Sequence, residues 1–131
     1  MNESTLSAVQ RAVSILVIDD DDDIRDTLAE VLEEIGYSVA TASQGSEALE
    51  LLQEVTPQVI LLDLNMPVMS GAEFRAAQRR DPALREIPTI VMTAVDRMPD
   101  RMPGADFAGE EILAKPFRLS DLLALLRLYL V

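Results

Sequence analysis

Histidine, cysteine and tryptophan are all missing from these 131 residues. Without cysteine there is no disulfide framework, no thiolate metal site and no cysteine nucleophile. Without histidine there is no His–Asp catalytic dyad and no imidazole-bound zinc. Aromatic residues make up only 4% of the chain, so its core must be aliphatic. Basic residues are scarce too: 11 Lys and Arg stand against 23 Asp and Glu, a net charge of −12. That balance excludes non-specific binding to nucleic acid or to anionic membranes, which require a basic surface. No apolar run approaches the ~18 residues of a membrane span. The opening Met1-Asn2-Glu3-Ser4-Thr5-Leu6 lacks the basic-then-apolar pattern of a secretion signal. A soluble, cytoplasmic protein is expected, with carboxylates, lysine, serine and threonine left to carry any chemistry.

What is present argues for one folded domain, since 49% of residues are hydrophobic and 26% charged. Ile15-Leu16-Val17-Ile18 and Val59-Ile60-Leu61-Leu62 are continuous aliphatic runs, the pattern of strands buried on both faces. Ile24, Leu28, Val31, Leu32 and Ile35 mark one face of a helix that Gly36 should stop. Tyr37 to Ala42 is expected to be a strand, and Glu47 to Val55 a helix ended by Pro57. Ser70-Gly71-Ala72-Glu73 has the form of a capping box opening a helix to about Arg80. Ile87 to Met92 and Ile112 to Ala114 supply two more strands, and Leu119 to Val131 a strongly apolar final helix. Alternation of this kind implies an α/β fold, a doubly wound five-stranded parallel sheet with helices on both faces.

In such sheets, ligands bind beyond the carboxyl ends of the strands. The first strand delivers Asp19 and Asp20 to that edge, the third Asp63, the fourth Thr93 and the fifth Lys115. Clustered carboxylates repel one another and need a compensating cation. Oxygen ligands without histidine or cysteine favour a hard ion such as Mg²⁺, or Mn²⁺ in its place. A carboxylate can act as a nucleophile toward phosphorus, and phosphoryl transfer needs little beyond in-line positioning and charge neutralisation.

Ile15-Leu16-Val17-Ile18-Asp19-Asp20, Leu61-Leu62-Asp63-Leu64-Asn65-Met66-Pro67 with Gly71, Val91-Met92-Thr93-Ala94 and Lys115-Pro116-Phe117 together resemble a response-regulator receiver domain. The resemblance runs from about residue 14 to the C-terminus, with all motifs in order. It implies a flavodoxin-like sheet of order 2-1-3-4-5, with residues 14–131 as the receiver and 1–13 as an N-terminal extension. It further implies Asp63 as phosphoacceptor and Asp19, Asp20, Asp63 and the backbone carbonyl of Asn65 around Mg²⁺. Thr93 and Lys115 would contact phosphoryl oxygens, and the Lys115–Pro116 bond would be cis. The implied partners are a sensor histidine kinase or histidine phosphotransfer protein and a downstream target or absent output domain.

Three features qualify that picture. Ile112 stands where many receivers carry a switching Tyr or Phe. Pro99, Pro103 and Gly104 oppose a regular fourth helix, so 95–110 should hold a short or irregular one. The final helix has more leucine than one buried stripe needs: Leu119, Leu123, Leu126 and Leu130 supply the stripe, and of the further Leu122, Leu125, Leu128, Tyr129 and Val131 some should face outward, Leu125 or Leu128 among them, for a homodimer or a C-terminal partner segment to cover. Other readings weigh against the receiver. Asp19, Asp21, Asp23 and Glu30 mimic calcium-loop spacing, but Ile24 occupies the glycine position. A Mg²⁺-dependent phosphohydrolase lacks its second acid at Asn65. A constitutive interaction module that signals without phosphorylation is the main alternative. On either receiver reading the chain is a signalling domain and not an enzyme acting on external substrates.

Overall fold

The continuous aliphatic runs are strands covered on both faces. In the computed structural model, which describes residues 11–64, 71–94 and 111–130, strands β1 (Arg11–Ile18), β2 (Val39–Ala42), β3 (Val55–Asp63), β4 (Thr89–Ala94) and β5 (Glu111–Lys115) form one sheet. Its order is β2-β1-β3-β4-β5 and every neighbouring pair is parallel. Among the described residues the helices are α1 (Asp22–Ile35), α2 (Gly45–Leu51), α3 (Gly71–Arg80) and α4 (Leu119–Leu126). The doubly wound α/β fold is as expected. The segment 95–110, the capping residue Ser70 and Asn65 lie outside the described residues.

Side chains alternate across each strand, which sorts the apolar runs into two cores. Ile15, Val17, Val59, Leu61, Ile90, Met92 and Leu113 pack with Leu28 and Leu32 of α1 and Leu122 and Leu126 of α4. Leu16, Ile18, Ile60 and Leu62 face the other way, against Ala48 and Leu52 around α2 and Phe74 of α3. A single strand therefore feeds both cores along its aliphatic run.

Helix α1 begins and ends as its sequence dictates. The Asp21 carboxylate caps it by accepting the amides of Asp23 and Ile24. Gly36 closes it at φ 119°, a left-handed conformation that glycine adopts without a Cβ clash.

Two helices are shorter than their apolar spacing suggests. Helix α2 stops at Leu51 rather than reaching Val55, because Val55, Thr56 and Pro57 pair with Arg11, Ala12 and Val13 as the start of β3. Pro57 is tolerated there because β4 pairs with β3 only from Ile60 onward. The final helix stops at Leu126, and its fully buried pair is Leu122 and Leu126. Leu123, Leu125, Tyr129 and Leu130 pack partly against the same core. Leu119 is instead 41% exposed and Leu128 69% exposed.

Candidate functional site

Sheet register brings the polar strand ends to one level. Ile18 pairs with Leu62, which sets Asp19 beside Asp63. Asp63 pairs with Met92, one residue before Thr93. Thr93 pairs with Ala114 and Ala94 with Lys115. Each polar residue is thus the first or second after an apolar run, delivered to the carboxyl edge where backbone pairing fixes its height.

The carboxylates of Asp19, Asp20 and Asp63 each place an oxygen within 4.8 Å of the others. Asp19 and Asp63 are buried while Asp20 is exposed. The Lys115 ammonium reaches both buried acids, at 3.2 Å from Asp19 Oδ2 and 3.5 Å from Asp63 Oδ1. Three carboxylates against one ammonium leave two formal negative charges in the cluster. Burying such an imbalance is costly unless a cation offsets it. An all-oxygen set with one exposed member fits Mg²⁺, which prefers carboxylates and retains several waters. Thr93 is fully buried at the end of β4.

The surrounding turns hold these groups in place. Asp19 donates its N–H to the Ala42 carbonyl at 3.1 Å and accepts the Asp21 N–H at Oδ1 at 2.9 Å. Leu64, after Asp63, donates to the Met92 carbonyl, and Gly71 donates back to the Leu64 carbonyl. A Cβ at Gly71 would lie 2.6 Å from both the Asp63 carbonyl oxygen and the Leu64 Cα, so only glycine lets α3 start this close to Asp63. The Lys115–Pro116 peptide is cis. Sequence reasoning singled out Asp19, Asp20, Asp63 and Lys115, and the fold gathers them. It overlooked Arg25, whose guanidinium contacts the Asp19 carbonyl. Its spacing from Asp22 signals a helix ion pair but not that further reach.

A parallel sheet of this order, with clustered acids beyond strands one and three, places the chain among the flavodoxin-like doubly wound folds with a candidate site at the carboxyl edge of the strands. The chain belongs to the response regulator receiver domain family, whose model matches residues 15–127. It is 40% identical over 115 residues to the response regulator MprA of Mycolicibacterium vanbaalenii, covering 88% of this chain and 49% of that protein. The MprA of Mycobacterium tuberculosis is 39% identical over 116 residues, covering 88% and 50%. This chain therefore spans about half the length of these relatives. Among solved structures it resembles the Vibrio cholerae chemotaxis protein CheY4, with TM-score 0.77, 32% identity and coverage of 93% of this chain and all of that one. It also resembles Thermotoga maritima TrrA, solved in complex with Mg²⁺-BeF, with TM-score 0.74, 30% identity and coverage of 92% and 100%. No helix among the described residues is long and apolar enough to cross a membrane.

Proposed function

We propose that this receiver domain accepts a phosphoryl group on Asp63 from a phosphohistidine of a separate protein, in a Mg²⁺-dependent reaction. The observation that carries this reading is the convergence of three carboxylates within 4.8 Å with Lys115 alongside. An Asp63 carboxylate oxygen attacks phosphorus in line, the phosphorus–nitrogen bond to the donor imidazole breaks, and the released nitrogen carries away the electron pair. Asp19, Asp20 and Asp63 would hold the metal, with the Asn65 backbone carbonyl as the further ligand that the family resemblance assigns. Bound Mg²⁺ supplies charge neutralisation for the phosphoryl oxygens. Lys115, already placed between the two buried acids, pairs with one phosphoryl oxygen, and the Thr93 hydroxyl donates to another.

None of these 131 residues can be the donor, because none is a histidine. A sensor histidine kinase or histidine phosphotransfer protein supplies it in this reading, with this chain acting in the cytoplasm. The readout is protein–protein contact with a downstream target or output domain. In this reading the receiver unit includes the whole of β1 and so begins at Arg11, three residues before the boundary expected at residue 14. Self-association through the final helix and the turn after it is part of the proposal, carried by exposed Leu119 on the helix and Leu128 just beyond it. Leu128→Glu should lower the dimer fraction in sedimentation while leaving stability within about 0.5 kcal/mol. A monomeric wild type removes this element.

Incubation with acetyl phosphate and Mg²⁺ tests the function. Intact mass should rise by one phosphoryl group, and a chelator should abolish the gain. Equal labelling with and without the metal contradicts the reading.

A further inference from the structure

We infer that Arg25 is a positioning residue for the acidic site, fixing the turn between β1 and α1 that presents Asp19 and Asp20. The inference rests on the reading of that site given above. Arg25 Nη1 donates to the Asp19 main-chain oxygen at 3.1 Å, and Nη2 donates to Asp22 Oδ1 at 2.7 Å. Its Nε lies 3.6 Å from Asp26 Oδ1. The Arg25 side chain is 14% exposed, whereas Asp22 and Asp26 are 78% and 72% exposed. Pairs with such exposed acids are weak anchors, so the bond into the turn is what holds the guanidinium inward.

That bond completes the fixation of Asp19. Its N–H is held by the Ala42 carbonyl, its Oδ1 by the Asp21 amide and its carbonyl by Arg25. Oδ2 is left to face Lys115. Arg25 is the only Lys or Arg between Arg11 and Arg75, so no other cation of that stretch can replace it.

Charge and positioning make opposite predictions. A guanidinium beside a cation site repels the metal, so its loss should tighten Mg²⁺ binding if charge alone matters. Loss of positioning should weaken it. Groups that orient ligands typically cost at least tenfold in metal affinity when removed.

The test uses the full chain with Arg25→Ala, Arg25→Lys and Arg25→Gln, the last retaining an aliphatic stem should alanine unfold the turn. In metal-free protein, exchange of the Asp21 amide, which hydrogen-bonds the Asp19 carboxylate, should accelerate about tenfold. Exchange in α2 should not change. By calorimetry, the half-saturating Mg²⁺ concentration should rise about tenfold in Arg25→Ala, and Arg25→Lys, which keeps the charge but not the fork, should not restore it. Unchanged or tighter Mg²⁺ binding, or an unaltered Asp21 amide, overturns the inference. A wild type that binds no Mg²⁺ overturns the site reading instead, and the Asp21 amide still decides the positioning role.

Discussion

At the amino end of the sheet, Gln78 is fully buried with both ends of its amide hydrogen-bonded, whereas at the carboxyl end Asp19 and Asp63 are buried and share Lys115. Gln78 Nε2 donates to the carbonyls of Leu84 and Ile87, and its Oε1 accepts the Thr89 hydroxyl. Nearby, in β1 and just before β2, Ser14 and Ser38 bond each other's backbone and hydroxyls. Every one of these groups is neutral and finds its partner within the protein. Such a network holds the loop before β4 and has no reason to recruit anything. The carboxyl end carries the opposite arrangement, an excess of negative charge whose balance must come from outside. Buried polar groups that close on themselves serve stability, and those left out of balance mark the site.

Substitutions at the two ends should separate these roles. The largest effect is expected where site and fold meet. Gly71→Ala forces a Cβ against the backbone of Asp63 and Leu64, and overpacking against backbone should cost about 3 kcal/mol in urea denaturation. A midpoint matching wild type would mean the chain behind Asp63 has room to shift. Gln78→Ala, at the amino end, removes three buried or part-buried hydrogen bonds, two to the carbonyls of Leu84 and Ile87 and one from the Thr89 hydroxyl, and should cost about 2 kcal/mol. Its Mg²⁺ affinity should equal that of wild type. If it falls, the two ends are coupled and the comparison fails. Lys115→Ala should show the reverse pattern, with little change in stability and Mg²⁺ binding tightened by about threefold, since one positive charge leaves the cluster. Its phosphorylated form should nevertheless be shorter-lived or weaker in partner binding. Weaker metal binding in this variant would place Lys115 among the groups that shape the site rather than balance it.

The contrast also explains what could be read from the sequence. A strand buried on both faces must be continuously aliphatic, so Ile15–Ile18 and Val59–Leu62 declared themselves. The first acid after each run could then be placed at the sheet edge. The end of α2 could not. Leu51, Leu52 and Val55 fit helical spacing, and only pairing of Val55–Pro57 with Arg11–Val13 assigns them to different elements. The phase of α4 was equally hidden, because leucines occupy nearly every face and periodicity cannot select Leu122 and Leu126 over Leu119 and Leu123. Gln78 and Arg25 are ordinary surface-type residues by composition. Their roles come from carbonyls six or more positions away, which no local pattern encodes.

The central claim is that the charge excess beside Asp63 exists to receive a phosphoryl group there. Borohydride reduction after labelling with acetyl phosphate and Mg²⁺ tests it most directly, because an acyl phosphate is reduced to an alcohol and leaves homoserine at the labelled position. Peptide sequencing by mass spectrometry should find homoserine at position 63 in wild type and nowhere in Asp63→Asn. Homoserine at another acid, or labelling of Asp63→Asn equal to wild type, would contradict the account.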